Sequence, residues 1–146
     1  MNNAVASKEG QTRRIGQSIG AFIAGFIVGV VLSLGTDIAL HAAGIFPALG
    51  QPMSGRLLLL ATAYRTFYSV ISSYIMARLA PYRPMQHALV GGVVGLVVST
   101  IGALATWNSG LGPHWYPLAL IALAMPSAWA GGRLREAQLD THTAGK

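Results

Sequence analysis

The stretch LLLLATAYRTFYSVISSYIMARLA, residues 57–80, decides the fold class. It is long enough and apolar enough for one helix with a lipid-facing side, yet Arg65 stands in its middle. Thr62, Arg65, Thr66, Ser69, Ser72 and Ser73 recur at intervals of three and four, which places them on one helical face. Leu59, Leu60, Phe67, Ile71 and Ile75 fall on the other side. Arg65 is nine residues from Arg56, or about 13–14 Å along a helix axis. That is near mid-depth if Arg56 marks an outer boundary. An arginine at a helix centre costs roughly 2.5–3.5 kcal/mol on insertion scales. The guanidinium therefore needs an anion, water or an exit to a surface.

Three more apolar segments accompany this one, so the expected helices are about residues 15–40, 57–80, 88–107 and 116–134. Each has about the ~20 residues required to cross a hydrocarbon core of ~30 Å. Backbone groups in lipid must be satisfied internally, so all four should be helical. The connections hold the breakers, in IFPALGQPMSG, APYRPM and NSGLGPH. The composition agrees: 53% hydrophobic and 10% charged, against roughly 25% charged in a soluble domain. The expected fold is an all-α, four-transmembrane-helix bundle. Residues 1–14 and 135–146 are expected as polar tails without regular structure, and residues 15–134 as one membrane domain.

The absence of cysteine excludes disulfides, thiolate metal sites and thiol chemistry. A net charge of +6 invites a nucleic-acid reading, but the basic residues sit at the ends of apolar segments and form no stripe with interleaved aromatics. Nucleic acid is not an expected partner. Lys8, Arg13 and Arg14 precede the first segment, Arg78 and Arg83 flank the second connection, and Arg133, Arg135 and Lys146 follow the fourth. The first and third connections contain neither Lys nor Arg. Eight of the ten basic residues thus lie on one side, which the positive-inside rule makes cytoplasmic, with both termini inside. Trp107, Trp115 and Tyr116 mark the outer interface, and Tyr82 and Trp129 the inner one. The first segment has a basic start and an apolar middle, as a secretion signal does. It is too long, however, and LHAAG gives no clean small-x-small cleavage site, so retention as an anchor is expected.

Helices in lipid associate through close packing, and small residues mark the contacts. Gly16, Gly20, Gly25 and Gly29 in the first segment and Gly91, Gly95 and Ser99 in the third are the expected packing positions. They serve either the helices of one chain or a second copy. Ala119, Ala122, Ala130 and Gly131 serve the fourth segment, in which Pro126 should introduce a kink.

Of the four acids, Glu9, Asp37, Glu136 and Asp140, only Asp37 occupies an apolar segment. By elimination it is the expected anionic partner of Arg65. Two alternatives stay open: Thr36 could cap a short surface helix that carries Asp37 away, or the two charges could line an ion or proton path without pairing. Tyr64 and Tyr68, one turn apart, flank Arg65 and complete an expected intramembrane polar cluster of Arg65, Asp37, Thr62, Ser69, Tyr64 and Tyr68. His41 and His114 share the outer layer, but their spacing fits no metal motif, and no metal or cofactor is expected. No phosphate-binding, metalloprotease, serine-hydrolase or dinucleotide fingerprint occurs, and no carboxylate pair is available for acid–base work.

Three stretches, TDIALHAAGIFP, AYRTFYSVISSYIMARLAPYRPMQHALVGGVVG and HWYPLALIALAMPSAWAGGRL, spanning Thr36 to Leu134, together resemble small, uncharacterised bacterial four-helix inner-membrane proteins. FYSVISSY is richer in serine than that group, where glycine often stands. The resemblance implies a multi-pass location in the bacterial inner membrane and carries no assigned activity. The leading expectation is a non-enzymatic structural or accessory subunit that self-associates or binds a larger membrane partner. The alternative is a small oligomeric transporter, or a proton- or ion-coupled protein, using Arg65 and Asp37.

Overall fold

Four helices in chain order make up the architecture: α1 (Asn2–Ala42), α2 (Gly55–Leu79), α3 (Pro84–Thr106) and α4 (Trp115–Ala144). The computed structural model describes the backbone of residues 2–144 and the side chains of residues 10–142. Among these residues no strand occurs. Lys8, Glu9 and Lys146, which entered the charge reading, lie outside the described side chains. Successive helices run antiparallel. One end of the molecule therefore gathers the α2–α3 turn and the two chain termini, and the other gathers the two longer loops. Those loops are tied together where the Met53 N–H donates to the Leu111 carbonyl at 2.8 Å.

Each apolar segment falls on one helix, but α1 and α4 run well past the segments into the expected tails. Extending an anchored helix costs no new nucleation. The α4 extension is also held by side chains: Arg133 pairs with Glu136 at 3.2 Å, and the Tyr74 hydroxyl donates to Gln138 Oε1 at 2.9 Å. α1 continues through Gly35 and Thr36 to Ala42 without a break, so Asp37 belongs to the long helix and Thr36 caps no separate one. α4 likewise continues through Pro126.

Two helical stretches, Gly10–Ala42 and Pro84–Thr106, are long and apolar enough to cross a membrane. α2 falls short through Arg65 and its hydroxyls, and α4 through its proline, serine and terminal charges. The two that qualify are not core helices, since only 11% and 17% of their apolar windows are buried. The packing explains why. Ala21, Ala61, Ala77, Ala88, Ala103 and Ala128 fill most of the buried positions, with Ser73 and Ser127 and three larger side chains, Phe46, Leu58 and Met76, while most large apolar side chains point outward. Val31 is 60% exposed, Ile38 68% and Leu104 72%.

α2 is the central element and packs against all three others, and α3 and α4 pack on each other. α1 is different. It lies along α2, touches α3 only briefly and, among the described residues, does not reach α4. A cleft therefore separates α1 from the α3–α4 pair, with α2 as its floor. At the α2–α3 turn Arg83 takes a left-handed backbone (φ 44°, ψ 65°) just before Pro84 opens α3.

Candidate functional site

Asp37 and Arg65 meet across α1 and α2, with Nη2 donating to Oδ2 at 2.5 Å. The Tyr64 hydroxyl donates to the other carboxylate oxygen, so both Asp37 oxygens are engaged. One turn deeper, the Tyr68 hydroxyl and Thr36 Oγ1 share a hydrogen bond of 2.9 Å. Another turn on, Ser72 Oγ donates to the Gly25 carbonyl at 2.7 Å. Antiparallel pairing of two helices brings these residues level: Thr36 and Asp37 are adjacent on α1, while Tyr64, Arg65, Tyr68 and Ser72 recur along one side of α2. The ion pair is part-buried, at 35% side-chain exposure for Arg65 and 19% for Asp37. A second guanidinium nitrogen, Nε, is buried without a protein partner.

Not every member of the expected cluster belongs to it. Thr62 Oγ1 donates to the Leu58 carbonyl at 2.8 Å and Ser69 Oγ to the Arg65 carbonyl at 2.9 Å, each within its own helix. Serine and threonine satisfy their hydroxyls locally whenever the carbonyl four residues back is in reach, so Thr62 and Ser69 make no bond to the ion pair. His41 Nδ1 lies 2.7 Å from the Asp37 carbonyl oxygen, and His114 stacks on Trp107 with its Nε2 3.0 Å from that residue's carbonyl. Among the described residues no three His, Cys, Asp or Glu side chains are grouped to hold a metal.

The small residues also divide. A methyl group at Gly29 would meet the Ser72 side chain at 3.1 Å, and one at Gly25 or Gly91 would collide with Met76. These three glycines admit α2 side chains. Gly16, Gly20 and Gly95 have open space where a Cβ would stand, so they pack nothing within the chain. Ser99 faces a cavity. The tightest approach to backbone is at Gly131, where a Cβ would lie 2.6 Å from the Val70 carbonyl and 2.7 Å from the Tyr74 nitrogen. Gly132 does the same for α3, against Met85 and Ala88.

Two cavities open on the ion pair. One, of about 340 Å³, fills the cleft between α1 and α3–α4 and takes a serine from each helix: Ser33, Ser69, Ser99 and Ser127. The other, of about 260 Å³, lies under the loops and is walled by His41, Phe46, Trp107, His114 and Tyr116. Asp37 and Arg65 line both. Tyr116 was expected only as an outer-interface marker, and Met76 was not singled out by the sequence. One signal was available: GFIVGVVLS (residues 25–33) and GGVVGLVVS (residues 91–99) share Gly, Val, Gly, Val and Ser at matching positions, and both flank the cleft. No protein-family model, curated protein or solved structure matches the chain.

Proposed function

We propose that the chain crosses a bacterial cytoplasmic membrane four times with both termini in the cytoplasm, and acts there as a non-enzymatic accessory or structural subunit that self-associates or binds a larger membrane partner. Support for the membrane comes from the inverted packing, alanine and serine inside and isoleucine, leucine and valine outside. Exposed apolar patches on that scale are tolerated where lipid or another protein covers them. Support for the orientation is the charge asymmetry of the connections.

The observation that carries the subunit reading is the lopsided attachment of α1. Its polar bonds, Asp37 to Arg65 and Tyr64, Thr36 to Tyr68 and the Gly25 carbonyl to Ser72, all go to α2. Ile19, Ile23, Ile27 and Val31 stay at least half exposed, and Gly16 and Gly20 leave open space beside them. A photo-crosslinker at Ile27 should capture a protein, identified as a second copy or a distinct partner. The same group at Phe67, on the lipid side of α2, should capture only lipid. Lipid alone at both positions would remove the subunit reading.

A second reading, a small transporter or proton- or ion-coupled protein, is favoured by one observation: both cavities end on the same Asp37–Arg65 pair.

A further inference from the structure

The cleft cavity has a largely apolar wall into which polar side chains project, where hydrocarbon surroundings would make them costly. Each helix turns a serine into it; Ser69 already donates within its own helix, whereas a hydroxyl left without a partner in an apolar medium costs roughly 1–3 kcal/mol by mutational measures. At ~30 Å³ per water molecule, its volume of about 340 Å³ accommodates about ten waters. Intramembrane polar residues characteristically face such water-filled space. The Arg65 Nε, buried and unpartnered, also needs a hydrogen-bond acceptor that no protein atom supplies.

Both ends of this chamber are stoppered. Toward the loops, the Asp37–Arg65 pair separates it from the second cavity. Toward the termini, the Met76 side chain, 3% exposed, is wedged between Gly25 of α1 and Gly91 of α3. Met76 thus bridges α1 and α3 at the height of Gly25 and Gly91. A thioether chain is unbranched and repacks readily, and an ion pair at an interface between two helices is a two-state contact. Vestibule, charged stopper, hydroxyl-lined chamber and thioether stopper follow one another along α2.

We infer that the two cavities are halves of one interrupted aqueous path, closed on the loop side by Asp37–Arg65 and on the terminal side by Met76. The path admits water and small hydrophilic solutes. This rests on the second reading above and on the four-crossing orientation.

The chain contains no cysteine, so single reporters can be placed cleanly. Gln51→Cys reports the vestibule and Ser99→Cys the chamber. A charged, membrane-impermeant methanethiosulfonate added outside spheroplasts should label Gln51→Cys rapidly in every background. Ser99→Cys should react slowly in the otherwise native chain. Closed states of this kind leave an open minority of roughly 0.1–10%, so Asp37→Asn or Arg65→Met should speed external labelling at least about tenfold. In inverted vesicles Met76→Ala should do the same from the cytoplasmic face, and this arm stands even where Asp37→Asn fails to accumulate. Fast labelling of Ser99→Cys in the native background overturns the gate. Reaction in all backgrounds only with a lipid-soluble maleimide overturns the aqueous chamber, since acyl chains then fill it. An unlabelled Gln51→Cys strikes at the orientation instead, separating that failure from the gate's.

Discussion

At Asp37 the carboxylate is shared between a cation and a phenol, and that sharing has a measurable consequence. Removing one partner from a buried pair costs roughly 3–5 kcal/mol, and the 35% exposure of Arg65 lowers the figure here through solvent screening. Arg65→Ala and Asp37→Ala should each destabilise by ~1–3 kcal/mol in detergent unfolding. Combined, they should lose less than the sum of the two, because neither leaves a stranded charge once both are gone. Strictly additive losses would show that the pair contributes no coupling. Tyr64→Phe should leave Asp37 one donor short and give a smaller loss in the same assay. The Asp37–Arg65 contact was legible in the sequence because only one acid lies in an apolar segment. Tyr64 was legible by adjacency. Tyr116 was not, because its approach to this region depends on how α4 packs against α2, which no local pattern encodes. Thr62 and Ser69 had the right spacing, but their hydroxyls found a nearer acceptor in their own helix.

Among the elements, glycine spacing alone did not say which glycines are contacts. Gly16, Gly20, Gly25 and Gly29 look alike in sequence, yet only the last two meet a neighbour within the chain. The difference lies in where α2 passes, since Ser72 and Met76 reach α1 at the height of Gly25 and Gly29, whereas Gly16 and Gly20 face open space. Two substitutions separate the classes. Gly131→Ala sets a methyl group against backbone atoms of α2 that cannot rotate away, so thermal unfolding should show a loss of ~1–3 kcal/mol. Gly20→Ala meets open space. It should leave stability unchanged or raise it by up to ~1 kcal/mol through helix propensity. A loss at Gly20 comparable to that at Gly131 would mean that a second molecule already occupies that groove in the purified state. The helical extensions of α1 and α4 were missed for a different reason. Polar composition suggests a free tail, but a helix anchored at one end continues through ordinary helix formers such as Arg135, Glu136 and Gln138.

Across the whole molecule, α1 behaves as a detachable part. Its packing runs almost entirely to α2, with a brief contact to α3, while α2, α3 and α4 pack on one another. Residues 1–50 and residues 51–146, expressed as separate chains, should therefore reassemble and co-purify. Asp37→Asn in the first piece should reduce the yield several-fold. Failure of the native pieces to associate would show that the α1–α2 loop is needed to hold the helices together. The four-crossing orientation makes its own prediction: a reporter fused after Lys146 should be active only in the cytoplasm. The number of helices and their order were readable from apolar length and breakers. The cleft was not, because it arises from α1 failing to reach α4, and an absent contact leaves no mark on periodicity.

The left-handed backbone at Arg83 bears on how the chain is made. A non-glycine residue in that region gives up roughly 1–2 kcal/mol, and glycine would relieve the cost. Arg83→Gly should therefore yield a folded protein that is harder to unfold. The same change erases one of the two cations flanking the link between α2 and α3, a pair on which the proposed four-crossing orientation partly rests. During synthesis the insertion machinery weighs such cations when choosing which way a helical hairpin enters. A relaxed turn would then come with more molecules inserted upside down, so biogenesis and thermodynamic stability pull this one position in opposite directions.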